Sequence, residues 1–221
     1  MSIGPDARLR LYQLVSPALP VGAFSYSEGL EVLVHAGRLQ GVEPLSAWLR
    51  AELSRGAVAI EAAALASLRQ GLEAASPDVL DLDGWLLAQR EAPELRAQQR
   101  QMGRSLLQLL ADLGWPLPQA FSPLAWPGAF AWAAVCLEIA SPALEEAYLY
   151  GWVANQISAA VRLIPLGPTQ GQRLQLQLAP LIAERAAALA AAEPRQLWNS
   201  GVGAGLAQLQ HAELYSRLFR S

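Results

Sequence analysis

Almost no stretch of this chain alternates apolar and polar residues at a period of two, and its prevailing side chains, Ala, Leu, Gln, Glu and Arg, are those that helices prefer. That pattern argues against a sheet-based core and predicts an all-α fold. Proline marks several helix starts: Glu43-Pro44, Ser76-Pro77 and Ser141-Pro142 each place it near a first turn, where its missing N–H does no harm. Ser25-Tyr26-Ser27-Glu28 reads as a capping box, with Gly37 placed to end the helix it opens. From Pro93, the positions Leu95, Gln99, Met102, Leu106, Leu109 and Leu113 step by four and three, the seam of a helix packed on neighbours, and Gly114-Trp115-Pro116 ends it. A helix over 141–164 turns Leu144, Tyr148, Trp152 and Ile157 inward, with Asn155, Ser158 and Arg162 on a separate polar line. The next, over 169–192, contains Pro180 and is expected to kink there.

Segment 116–127 holds four prolines and is the least regular part of the chain. It divides two helical layers rather than two domains, because the helices on both sides are too apolar to stand alone. Residues 1–221 therefore read as one domain, a multi-helix bundle long enough to bury a sizeable core. With 53% hydrophobic and only 16% charged residues, some apolar surface is expected to meet a partner. A net charge of -3 gives no electrostatic reason to expect nucleic acid as that partner. The best membrane-span candidate, 143–164, carries Glu145, Glu146, Asn155, Gln156 and Arg162, so no span is expected. No basic region followed by an apolar run opens the sequence, and Cys136 is the single cysteine, which together point to the cytoplasm.

The chemistry-bearing residues are sparse. Imidazole and thiol ligands are limited to His35, Cys136 and His211, which do not cluster in sequence, so no metal site and no cofactor are expected. A phosphate-binding loop needs a Lys that this chain lacks, and no nucleophile elbow or Ser/His or Cys/His dyad is evident. These absences argue against an enzyme. Arg96, Arg100 and Arg104 form a basic stripe on one helix face, which reads as a solvated face or as a surface for an acidic partner.

Two segments stand out from the helix-forming middle. Ser16-Pro17 and Leu19-Pro20 force an extended approach, Gly22 permits a tight turn, and the capping box follows, so 16–31 is a fixed corner. That corner either orients the first helices or offers Tyr26, Glu28 and Glu31 to a partner. Chain ends usually fray and shed apolar residues, yet this one finishes with Tyr215, Leu218 and Phe219 on one helical face, flanked by Arg217 and Arg220. Such an end must dock, either back on its own core or in a partner groove.

The segments Ser16-Pro17-Ala18-Leu19-Pro20-Val21-Gly22-Ala23-Phe24-Ser25-Tyr26-Ser27-Glu28-Gly29-Leu30-Glu31, Asn155-Gln156-Ile157-Ser158-Ala159-Ala160-Val161-Arg162-Leu163-Ile164-Pro165-Leu166-Gly167 and Tyr215-Ser216-Arg217-Leu218-Phe219-Arg220-Ser221 resemble, in collinear order over about 9–221, the UreF family of urease accessory proteins. The resemblance implies a UreF-like helical fold, a homodimer, and a non-catalytic scaffold bridging UreD (also called UreH) and the GTPase UreG so that nickel reaches urease apoprotein. It also implies that 211–221 is a partner-docking tail, and that Tyr26, Glu28, Glu31, Arg162, Tyr215, Arg217, Leu218, Phe219 and Arg220 bind partners. Ala212 stands where relatives usually place Glu, with Glu213 next along. Two other readings are a regulator of GTP hydrolysis by UreG, using Arg96, Arg100 or Arg162, and a helical enzyme or small-ligand carrier built around Trp126, Trp132 and Trp152.

Overall fold

A computed structural model describes residues 5–221 as helices joined by short turns, with no strand among the described residues. The fold is all-α. Residues 1–4, on which the reading of the chain start partly rests, lie outside the described residues. The helices are α1 (Pro5–Leu14), α2 (Leu30–His35), α3 (Val42–Arg55), α4 (Ala57–Glu73), α5 (Asp78–Ala88), α6 (Pro93–Asp112), α7 (Trp126–Cys136), α8 (Ala143–Leu163), α9 (Pro168–Leu189) and α10 (Val202–Gln210).

The spine is α4. Its run Ala57-Val58-Ala59-Ile60-Glu61-Ala62-Ala63-Ala64-Leu65 is buried on every side, as expected of a helix that is apolar all round. One face of α4 joins the main core, built with α3, α7, α8 and α9, and the other face closes a smaller cluster of Val79, Leu86, Phe121 and Leu124. Alanines on α4 and α7 let these two helices approach closely. Two glycines do the same elsewhere: a Cβ on Gly103 of α6 would lie 2.7 Å from the Leu124 carbonyl oxygen, and one on Gly128 of α7 would strike the Asp83 carboxylate. That carboxylate, from α5, accepts the Ala125 backbone N–H at 2.9 Å and so satisfies a donor at the α7 start.

Proline signals in the sequence lie where the helices begin. α3 opens at Val42 with Pro44 in its first turn, and α5 and α8 each follow a proline directly. Gly37, at φ 69°, ends α2 with the Arg38 N–H on the Leu33 carbonyl and the Gly37 N–H on that of Val34. The α6 seam holds through Leu106 and then passes to Leu110, leaving Leu113 half exposed, because a straight 3.6-residue helix drifts off a repeated four-three step. α9 runs unbroken through Pro180.

One expected start is displaced. Ser25 ends a short 3-10 turn, Tyr26 is extended, and α2 opens only at Leu30. The capping box does not form because the Glu28 carboxylate is drawn into the interior, and Ser27 instead accepts the Glu31 N–H at 3.4 Å.

Candidate partner-docking site

The corner and the tail form one site. Glu28 and Gly29 both have positive φ, 52° and 88°, so the corner turns through two consecutive left-handed residues before α2. Both the Ser27 and Glu28 N–H groups donate to the Ser221 carbonyl oxygen, at 2.7 and 3.0 Å, and the Ser27 hydroxyl donates to the same oxygen at 2.7 Å. Gly29 is required twice over, since a Cβ there would also press within 3.0 Å of the Gln208 backbone nitrogen on α10.

From α2, the buried Glu31 carboxylate accepts the Leu218 N–H at 2.6 Å and the Phe219 N–H at 3.1 Å, with His211 Nε2 at 3.3 Å. His211 Nδ1 lies 2.7 Å from Glu94 of α6, and Arg217 donates to that carboxylate at 2.7 Å. The Arg220 N–H donates to the Ser25 carbonyl and the Ser221 hydroxyl to Gln98. Arg162 of α8 lays its guanidinium 4.4 Å from the centre of the Phe219 ring and donates to the Phe24 carbonyl, joining tail, corner and α8.

Beneath the corner lies a buried charge network. Glu28 accepts from Gln98 at 2.7 Å and from the Trp152 indole at 3.1 Å, and Arg90 stands 3.8 Å away. Arg90 also pairs with Glu61 at 2.7 Å, and the Tyr148 hydroxyl donates to Glu61 at 2.8 Å. Burial pushes the Glu61 carboxyl above the usual carboxylate range, Arg90 pulls it back, and Glu28 pushes it further up. For Arg90, burial alone favours loss of charge, but Glu61 and Glu28 outweigh it and the pKa rises, so the guanidinium stays charged.

Glu52 of α3 shares this environment. Burial raises it to about 7, with Arg90 opposing and Glu28 adding to the rise. The folded state thus keeps a proton between pH 4.5, the ordinary value, and about 7, where the unfolded chain has given it up. Stability from this group falls as pH rises through that window, by about 3 kcal/mol in all. Glu52→Gln is expected to remove that slope, stabilising the protein at about pH 8 while changing little near pH 5. Urea titrations at the two pH values check this, and an equal effect at both would refute it.

Of the residues that sequence reasoning assigned to partners, Tyr26, Glu28, Glu31 and Phe219 are buried within the chain. Arg162, Tyr215, Arg217, Leu218 and Arg220 are exposed, Tyr215 completely, and Phe24, whose carbonyl accepts from Arg162, is 69% exposed. The structure gathers Glu31, Arg162, Arg217, Leu218 and Phe219 around the tail, with Glu28 joined to it through its backbone N–H. Sequence reading missed the carriers of this assembly, His211, Glu94, Gln98 and Ser27. A usable signal was Glu61, a lone charge in an otherwise apolar helical run, which demands a buried partner. Arg96 of the basic stripe donates to the Arg90 and Glu91 carbonyls, whereas Arg100 and Arg104 are exposed and unpaired among the described residues. His35 is exposed and Cys136 half-buried, its thiol pushed up to about 11 by burial. Among the described residues no His, Cys, Asp and Glu side chains are grouped so as to hold a metal ion, and no helix is long and apolar enough to cross a membrane.

The UreF family model matches residues 39–179. The urease accessory protein UreF of Alkalilimnicola ehrlichii is 41% identical, with 97% of this chain and 96% of the relative covered. That of a Nostoc species is 43% identical over 96% and 95% of the two chains, and that of a Synechocystis species 39% identical over 98% of each. These alignments extend over nearly the whole chain, well beyond the matched span. The chain belongs to the UreF family of urease accessory proteins.

Proposed function

We infer that this protein is a non-catalytic scaffold of urease maturation, bridging UreD (UreH) and the GTPase UreG, as a cytoplasmic homodimer, so that nickel passes to urease apoprotein. The observation that carries the reading is the tail clasped onto the corner. Hydrogen bonds from the 218–221 backbone to Glu31 of α2 and to the corner fix the course of the backbone, and Tyr215 and Leu218 stay exposed. Aromatic and aliphatic side chains fixed in this way lose little entropy on binding, which suits them as anchors, and Arg217 and Arg220 supply a polar rim. UreD is the partner assigned to this surface.

Tyr215 contributes nothing to the folded core, being fully exposed. Tyr215→Ala is therefore expected to leave the melting temperature unchanged and to weaken UreD capture about tenfold or more, the usual cost of losing an interface anchor. Titration of purified UreD against parent and variant measures this. Equal affinity for UreD would remove the tail surface from the proposal.

A further inference from the structure

His211 is completely buried, and both of its ring nitrogens face carboxylates, Nδ1 toward Glu94 at 2.7 Å and Nε2 toward Glu31 at 3.3 Å. A neutral imidazole has one N–H and one bare lone pair, so it can donate to only one of them; imidazolium donates to both. The same two carboxylates hold the tail, Glu31 through the Leu218 and Phe219 N–H groups and Glu94 through Arg217. We propose that His211 is a proton-dependent clasp: as the imidazolium it ties α2, α6 and the tail together, and when it gives its proton to water the hold of Glu31 on the tail weakens.

The inference rests on the reading of the tail as a docking element and adds its regulation. The charged groups facing His211 are Glu31 from α2 and Glu94 from α6, with Arg217 of the tail bound to Glu94; α10, which ends at Gln210, carries no titratable side chain. With two carboxylates and one guanidinium around it, the protonated ring is the fourth charge, and it brings the set to neutrality. Deprotonation leaves a lone pair against a carboxylate oxygen, and the loss propagates to the Leu218 and Phe219 bonds because they share the Glu31 acceptor. Attachment is therefore strongest in the range where imidazole is charged and carboxylates are ionised. It weakens when His211 gives up its proton.

The full chain has only two histidines, so each imidazole is readily followed by NMR. Hydrogen exchange of the Leu218 and Phe219 amides, corrected for intrinsic rates, is expected to be about tenfold faster at a pH where the ring signals report His211 neutral than at one where they report it charged. His211→Gln, checked for retained helix by circular dichroism, should exchange faster and independently of pH between those two values, and His35→Gln should behave like the parent. A His211 ring that keeps one protonation state throughout the pH range in which the protein stays folded, amide protection that stays flat while the ring changes state, or an unchanged pH response in His211→Gln would each overturn the clasp. UreD capture measured at the same two pH values separates the two claims. Faster tail exchange without a change in capture supports the clasp and counts against the docking role of the tail.

Discussion

Replacing Arg90 with alanine is expected to cost about 3–5 kcal/mol and to leave the protein largely unfolded at moderate temperature. The cause is the removal of a cation rather than the loss of a favourable pair. Arg90 is 3% exposed and stands between Glu61, at 2.7 Å, and Glu28, at 3.8 Å. Without it, two buried carboxylates face each other's field with only Tyr148, Gln98 and Trp152 as donors. A buried charge left uncompensated is worse than no charge, so Arg90→Met should fare little better, although its side chain fills much of the space. Adding Glu61→Gln to Arg90→Met should recover a large part of the loss, since the amide can still accept from Tyr148 and carries no charge. The pH dependence has a definite sign. Carboxyls in the variant keep protons in the folded state that the unfolded chain has released, so the deficit shrinks as pH falls toward the ordinary carboxylate range and grows as it rises. Urea denaturation of the three variants provides the measurement. An Arg90→Ala protein within about 1 kcal/mol of the parent at neutral pH would show that the network is solvated and that the buried-charge argument fails.

The helices were largely legible in the sequence because their determinants are local. Pro44, Pro77 and Pro142 fix first turns, Gly37 supplies a left-handed stop, and apolar spacing fixes which face of α6 is buried as far as Leu106. Misplacements arose where a distant group competed with a local one. Ser25-Tyr26-Ser27-Glu28 has every residue a capping box needs, but Gln98 and Trp152, 70 and 124 positions away, take the Glu28 carboxylate. No sequence period reports such pairings.

The site was legible in outline only. Corner and tail both stood out, each because a local rule was broken: rigid Pro and Gly spacing at one, apolar residues at a chain end in the other. Their mutual contact was not legible, because Ser27 and Ser221 are 194 positions apart and meet at the Ser221 backbone oxygen, an acceptor that any residue type supplies. His211 shows the same limit. Alone in sequence it had no ligand-like neighbour, and only the fold brings Glu31 and Glu94 to its two nitrogens.

Truncation before Tyr215 is expected to lower stability markedly, because the tail docks back on its own core. Phe219 is 4% exposed and belongs to the main hydrophobic core, under the Arg162 guanidinium. Its removal alone, as Phe219→Ala, is expected to cost about 3 kcal/mol, at the low end for a buried aromatic because a site near the chain end can partly close. Truncation costs more. It also strips the Leu218 and Phe219 donors from Glu31 and removes the Ser221 acceptor from the Ser27 and Glu28 N–H groups, leaving water to replace them at a corner held in a left-handed conformation. Arg217→Ala is the contrast, since its bond to Glu94 is half exposed and worth at most about 1 kcal/mol. The expected order of melting temperatures is parent, then Arg217→Ala close below it, then Phe219→Ala, then the truncated chain. Loss of UreD capture in the truncated protein therefore cannot by itself identify the tail as a contact, because the corner is disturbed as well; capture by Arg217→Ala and Phe219→Ala, compared at equal folded fraction, separates the two effects. A truncated chain that melts with the parent would show that the clasp contributes nothing to the fold and that the tail rests on the corner without holding it.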